Sequence, residues 1–227
     1  MDIIEKKQNC QHLKKIKVMI KDKITPELKR RFLDDLRISI ETGKERGFVI
    51  CIDRKENLVP SQSREGDVRS ISLGDPSKVC PTGNAQGDFH THPYLSEAKK
   101  ELMSGNGKKP IPSDEVIINY MKNNIRTLHE KEGVKDITIN SPTGNDLLQA
   151  LLSKHLNMTR GTVCTMSDIG DDKLECWTVK DMNKDKEDIY VAKAYSDIRK
   201  RNLLQEDILI ETWIASIFDR ETIDLKK

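Results

Sequence analysis

The chain has 227 residues, of which 36% are hydrophobic, 33% are charged and 4% are aromatic. This length is enough for one large domain with a sizeable core. The 39 basic and 37 acidic residues nearly cancel, so the composition gives no reason to expect a nucleic acid partner. No apolar run could span a membrane and MDIIEKKQNC lacks the apolar region of a signal peptide, so we expect a cytoplasmic protein with no membrane partner.

The cysteines give little support for either a disulfide framework or a thiolate zinc site. Their number is odd and no two of them form a Cys-x-x-Cys motif. We therefore expect buried, reduced thiols at all five positions, which are Cys10, Cys51, Cys80, Cys164 and Cys176.

The first half of the chain predicts one helix among short strands. Thr25 and Pro26 are typical of a helix start, and apolar residues at every fourth position extend the predicted amphipathic helix to about Glu41. Short apolar stretches bounded by polar or turn residues predict strands. These are KVMI (17–20), GFVICI (47–52) and RSISL (69–73).

The second half changes character after residue 93. SEAKKELMSGNGKKPIP is polar and glycine-rich, a helix is predicted from Ser113, and KDITIN predicts a short strand, so residues 94 to about 140 are interpreted as an insertion. A leucine-rich helix follows SPTGND, and GTVCTM and KLECWTV then predict a β-hairpin. The predicted organisation is an accessory arm (1–16), a central domain (17–180) and a helical C-terminal extension (181–227).

The stretch GDFHTHPYLS places two histidines two residues apart. On a strand, side chains at i and i+2 share a face, so His90 and His92 point to one side while Phe89 and Thr91 point to the other. Pro93 ends the strand. A catalytic zinc site typically has three protein ligands and a water, and this pair could supply two of them. The alternative is a strand end that carries two ordinary surface histidines.

The order of elements around FHTHP resembles the JAMM (MPN+) zinc metalloproteases, in particular their archaeal and prokaryotic members. That family has a glutamate at the start of an early strand, His-x-His-Pro, and Ser-x-x-Asp at the start of a later helix. The resemblance covers about residues 17–180 and implies an α/β (α+β) fold, with a central mixed sheet flanked by helices. It also implies a zinc cofactor and hydrolysis of peptide or isopeptide bonds in protein substrates, such as ubiquitin-like conjugates or sulfur-carrier proteins.

Carried over to this chain, the resemblance makes His90 and His92 the two imidazole ligands of zinc. Glu45, immediately before RGFVIC, best matches the glutamate that acts as general base. Glu41, four residues earlier, is the alternative.

The third ligand has two candidates. Asp146 follows Thr143 by three residues, which matches Ser-x-x-Asp with threonine in place of serine, whereas Asp114 directly follows Ser113. We choose Asp146 because a leucine-rich helix and a strand follow it, as in the family. The gap of 54 residues from His92 is longer than the family's usual dozen, but loop-closure cost grows only logarithmically with length.

If these residues meet, zinc lowers the pKa of its water to about 7. Glu45 would accept the proton of that water, and Thr143 would donate a hydrogen bond to the oxyanion. Two alternatives stay open, namely a non-catalytic MPN-type scaffold and a RadC-like protein associated with DNA. The near-neutral charge argues against the second. The sequence does not indicate an oligomeric state.

Overall fold

The computed structural model describes residues 20–104, 111–131, 133–200 and 210–226. The predicted arm and most of KVMI lie outside these residues, and Ile20 begins a short 3₁₀ helix, Ile20–Asp22. The α-helices of the described chain are α1 (Pro26–Thr42), α2 (Pro76–Val79), α3 (Tyr94–Ser104), α4 (Asp114–Lys131), α5 (Gly144–His155), α6 (Lys184–Lys200) and α7 (Thr212–Ser216). The strands are β1 (Arg46–Ile52), β2 (Leu58–Pro60), β3 (Arg64–Glu65), β4 (Ala85–His92), β5 (Thr162–Ser167), β6 (Lys173–Val179) and β7 (Phe218–Asp224).

The strands form one mixed sheet in the order β2-β1-β4-β5-β6-β7, with β3 also paired to β1. Only β4 and β5 are parallel among these pairs; the others are antiparallel. Parallel neighbours need a crossover connection, and here the chain crosses through α3, α4 and α5. The expected mixed sheet flanked by helices is therefore confirmed, and the residues predicted as an insertion form the first part of this crossover.

Helix α1 covers one face of the sheet. Thr25 caps its N-terminus by accepting a hydrogen bond from the Leu28 amide, and Gly43 ends it with a φ of 65°, which favours glycine. Its buried residues Phe32 and Leu36 belong to a core that includes Phe48 of β1.

Helices α5, α6 and α7 cover the opposite face. Neighbouring residues of a strand point to opposite faces, and Cys164 belongs to the α1 core whereas Val163 belongs to the core under α5. The second core also contains Trp177 of β6 and the leucines of α5, which are Leu147, Leu148, Leu151 and Leu152. The end of β4 thus lies between two packed layers, which fixes the direction of its side chains.

Three predicted segments differ from the structure. RSISL is not a strand, because the outer edge of β1 is already paired with β2 and β3. KDITIN is not a strand either, since Ser141 donates its amide to the Thr138 carbonyl and closes a turn. The C-terminal extension is not wholly helical: β7 pairs with β6 along its full length and completes the sheet.

The expectation of reduced thiols is wrong for four cysteines. Cys51 is bonded to Cys80, and Cys164 is bonded to Cys176. Cys164 and Cys176 lie opposite each other on β5 and β6, a proximity that depends on strand register rather than on sequence spacing. Cys10 lies outside the described residues.

Within the described ranges, none of the helices has both the length and the apolar character needed to cross a membrane.

Candidate metal centre

The two histidines share one face of β4, as the i, i+2 spacing predicts. Their Nε2 atoms lie 3.0 Å apart, and both side chains are buried. Thr91, between them, points to the other face, where its hydroxyl donates a hydrogen bond to Ser39 of α1 at 2.8 Å. Phe89 packs against Phe32 on that same face. The packing of α1 therefore directs both imidazoles away from the α1 core.

The carboxylate of Asp146 completes a three-residue cluster. Its Oδ1 lies 3.4 Å from Nε2 of His90, and its Oδ2 lies 3.5 Å from Nε2 of His92. A tetrahedral zinc site with bonds of roughly 2.0 to 2.1 Å has ligand atoms roughly 3.3 Å apart. The three separations are close to that edge length, although the two that involve Asp146 use different oxygens of its carboxylate. This is the one such group of potential metal ligands found in the described part of the chain.

Asp146 reaches the histidines because of how α5 begins. Thr143 caps the helix, its hydroxyl accepting the Asp146 amide at 3.2 Å, while Asp146 Oδ2 accepts the Thr143 amide at 2.7 Å. This reciprocal pattern is a capping box. The Thr143 hydroxyl also donates to Asp146 Oδ2 at 2.8 Å. The carboxylate is thus held by its own helix start before any metal binds.

Each histidine has a second partner at Nδ1. Asp88 Oδ1 lies 3.3 Å from Nδ1 of His90, and the Tyr94 hydroxyl lies 2.9 Å from Nδ1 of His92. Such contacts orient metal-binding imidazoles in many proteins. Because both Nδ1 atoms are engaged, both Nε2 atoms are left facing the Asp146 carboxylate.

The charges of the cluster are strongly coupled. Burial disfavours a charged His90, but the Asp146 and Asp88 carboxylates outweigh it and hold the pKa of His90 well above 6.5. Burial and the charge of His90 lower the pKa of His92. Burial opposes the charge of Asp146 too, yet the histidines hold its pKa well below 3.8. In the metal-free cluster His90 is therefore the imidazole that carries the extra proton and the positive charge, and His92 stays neutral.

Glu45 lies beside this cluster, at the start of β1. Its amide donates a hydrogen bond to the Asp67 carbonyl, and its carbonyl accepts one from the Gly66 amide. Two residues later, Gly47 pairs with His90 across β1 and β4. The side chain is only 8% exposed. Burial raises the pKa of the Glu45 carboxyl from 4.5 to about 7, a rise that His90 opposes and Asp146 supports. A carboxylate with a pKa near neutrality suits a general base.

The two alternative carboxylates lie elsewhere. Asp114 is largely exposed, and its Oδ1 pairs with Nζ of Lys99 at 2.7 Å. Glu41 is exposed near the end of α1. Neither belongs to the metal-binding group or lines the two cavities at the histidines.

An open groove of about 750 Å³ leads to the cluster and includes Glu45, His90 and Asp146 in its lining. One wall is residues 69–76, and the other is the polar face of α5. A second cavity of about 130 Å³ lies beside His92 and is lined by Tyr94 and Thr143 among others. The three-residue cluster is therefore open to both cavities.

Sequence reasoning missed both partners of the histidines. Asp88 could have been found, because it precedes His90 by two residues and must share its face. Tyr94 follows Pro93 in a new helix, so no strand or helix periodicity connects it to His92.

Comparisons of the sequence with protein-family models, with curated proteins and with solved structures give no match. The function must therefore be argued from the geometry of the site.

Proposed function

We propose that this chain is a zinc-dependent peptidase or isopeptidase of the JAMM (MPN+) type. The observation that carries the proposal is the meeting of His90, His92 and Asp146, with separations of 3.0 to 3.5 Å between imidazole Nε2 and carboxylate oxygen atoms, beside the buried carboxylate of Glu45. Two imidazoles and one carboxylate leave the fourth position of a tetrahedral site open, as catalytic zinc sites do. Nitrogen and oxygen donors of this kind suit zinc.

Zinc bound there would polarise a water molecule and the carbonyl group of the substrate. Glu45 would accept a proton from the attacking water and return it to the leaving amine. Its burial, which raises its pKa to about 7 in the metal-free protein, suits a carboxylate that first accepts and then donates a proton. Peptide or isopeptide hydrolysis is the reaction that uses these steps.

Thr143 enters the proposal in two ways. Its hydroxyl holds Asp146 through the capping box. The Thr143 hydroxyl donates its hydrogen to Asp146 Oδ2, with 2.8 Å between the two oxygens. To act as the oxyanion donor that the family resemblance implies, the hydroxyl would have to turn this hydrogen away from Asp146. The second role stays a prediction.

The groove supports a protein substrate with an extended end. Ile71 and Leu73 are half-buried while Ser72 and Gly74 are exposed, an alternation typical of a strand. Yet residues 71–74 pair with no strand in the chain as described. An extended peptide laid in the groove could pair with this backbone and reach His90, a mode of recognition common for chain termini and tails. The flexible tail of a ubiquitin-like modifier is a substrate of this shape.

The test begins with the metal. Purified protein would be analysed for zinc, and the His90→Ala and His92→Ala variants should lose it while keeping the circular dichroism of the wild type. Both cores are built from apolar residues and include none of the three cluster residues, so folding should survive. A wild-type protein that binds no zinc, or variants that keep stoichiometric zinc, would contradict the proposal.

The second step is activity. The zinc-loaded protein would be incubated with a panel of ubiquitin-like proteins fused through their C-termini to a reporter. We expect cleavage of at least one fusion, abolished in His90→Ala. Zinc binding without cleavage of any fusion would favour the non-catalytic scaffold.

A further inference from the structure

The phenol of Tyr94 contacts a candidate metal ligand on the side away from the metal. Its hydroxyl lies 2.9 Å from Nδ1 of His92, and the two rings are 5.0 Å apart between centroids. Tyr94 is only 6% exposed. The residue is therefore buried beside the imidazole, at the edge of the small cavity that both residues line.

We infer that Tyr94 is a positioning residue for the metal centre, which fixes the tautomer and the ring orientation of His92. This inference rests on the proposed function, because it assumes that His92 is a metal ligand.

The argument follows from the hydrogen count of imidazole. A neutral imidazole carries one hydrogen, so a metal at Nε2 requires that hydrogen to be on Nδ1. At Nδ1 of His92 the hydroxyl oxygen of Tyr94 is positioned to accept it. His92 is only 4% exposed, so an Nδ1–H without this acceptor would be poorly satisfied by solvent.

The two histidines have partners of different charge. His90 has a carboxylate, Asp88, whereas His92 has a neutral phenol. A phenol keeps its hydrogen at neutral pH, since its ordinary pKa is about 10. Asp146 and Asp88 already bring two negative charges to the cluster. A neutral partner orients the second imidazole without adding a third.

The position of Tyr94 is fixed by Asp168, in the turn after β5. The Asp168 carboxylate accepts the amide of Leu95 at 3.1 Å in the first turn of α3, and the Asp168 amide donates to the His92 carbonyl at 3.1 Å. Asp168 therefore joins the end of the histidine strand to the helix that carries Tyr94. Asp168 should therefore affect the affinity for metal indirectly, by holding Tyr94 in position.

The test is a pair of matched substitutions. Tyr94→Phe removes one oxygen and keeps the ring, and Tyr120→Phe removes the same atom from an exposed tyrosine of α4. Zinc affinity would be measured by competition with a chromophoric chelator. We expect Tyr94→Phe to bind zinc about 10 to 100 times more weakly, the usual cost of losing such a partner. Tyr120→Phe should match the wild type.

A second readout separates positioning from general loosening. In the zinc-loaded protein, the Nδ1–H of His92 should be visible by NMR and exchange slowly with water, and Tyr94→Phe should accelerate its exchange without altering that of the His90 Nδ1–H. Asp168→Asn should weaken zinc binding in the same direction, and adding it to Tyr94→Phe should cost less than the sum of the single effects.

The outcomes are distinguishable. A wild type that binds no zinc would overturn the proposed function itself. If the wild type binds zinc and Tyr94→Phe binds it equally well with the same exchange at His92, only the role of Tyr94 is overturned. If Tyr94→Phe also melts well below Tyr120→Phe without metal, additive losses with Asp168→Asn would identify a structural effect and overturn the inference.

Discussion

The first turns of α4 and α5 look alike in sequence and differ in what they build. Each follows a proline-containing turn and begins with a hydroxyl residue and an aspartate. At α4, Asp114 lies at the surface and pairs with Lys99. At α5, Asp146 turns inward to both histidines. Composition alone therefore does not bring an aspartate to the histidines; its position within the first turn of the helix does.

Two features separate these helix starts. Asp114 is the first residue of α4, whereas Asp146 is the third residue of α5, which places the two side chains roughly 200° apart around their helices. Only the third position can reach back to the cap residue and close a capping box. In addition, α5 leads directly into β5, the parallel neighbour of the histidine strand. The hydroxyl-x-x-acid spacing is thus a geometric requirement of the site.

The largest expected effect is the loss of turnover on substitution of Glu45, which differs from Glu41 as Asp146 differs from Asp114. Glu45 is buried beside the cluster and Glu41 is exposed, as with the two aspartates. Glu45→Gln should keep zinc but lose about 10² to 10⁴ in turnover, because an amide cannot accept the proton. Glu41→Gln is the matched control and should retain full turnover. Both rates would be measured on the fusion cleaved fastest, and loss of activity in Glu41→Gln alone would reverse the assignment of the base.

The direct comparison is Asp146→Asn with Asp114→Asn. Asp146→Asn removes the one anionic ligand of the proposed site. Zinc should therefore bind more than about 100 times more weakly, which exceeds the usual loss when only a group that orients a ligand is removed. Asp114→Asn should leave zinc affinity within about twofold, since it breaks only an exposed ion pair. Chelator competition measures both. Equal losses would show that the two helix starts do not differ in the way described.

A smaller effect is expected at the cap residues. Thr143→Val keeps the shape of the side chain but removes its two hydrogen bonds to Asp146. Zinc affinity should fall by about tenfold, and thermal or denaturant unfolding should show a loss of about 1 kcal/mol. Ser113→Ala should leave zinc affinity unchanged, because Ser113 does not line either cavity at the histidines. A Thr143→Val protein with wild-type zinc affinity would show that Asp146 needs no help from its cap.

The elements that the sequence predicts well are those with local signals. Thr25 and Pro26 start α1 where expected, and the end of β4 falls at Pro93 because proline cannot continue the ladder. The alternation of side chains along a strand correctly predicts that His90 and His92 share one face of β4. These outcomes depend only on the chemistry of a few consecutive residues.

The elements that the sequence predicts badly depend on partners far away in the chain. RSISL has a strand pattern but finds the edge of β1 occupied, and β7 is a strand because β6 offers it an edge. The disulfide between Cys164 and Cys176 depends on register in the same way. Asp146 is preferred to Asp114 as the third ligand because the element order of the resembling family supplies long-range information that the residues themselves lack.

The smallest expected effect concerns the metal-free protein. Asp146 is the chief charge that keeps His90 protonated, so in Asp146→Asn the pKa of His90 should fall, with Asp88 left as the carboxylate that still raises it. A raised histidine pKa contributes stability that is fully present below pH 6.5 and is lost as pH rises through the folded-state pKa. Chelator-treated wild type and Asp114→Asn should therefore both show this decline above pH 6.5, and the decline should be smaller in Asp146→Asn.

The measurement is an NMR titration of the His90 ring, together with denaturant unfolding between pH 5 and pH 9. Glu45 would complicate the unfolding data, because its pKa rises from 4.5 to about 7 on folding and its contribution also falls with increasing pH over that range. Glu45→Gln as a common background removes that contribution from all three proteins. If His90 then titrates alike with and without the Asp146 carboxylate, the two are not a charge pair, and the inward turn of α5 would have to be explained by its packing alone.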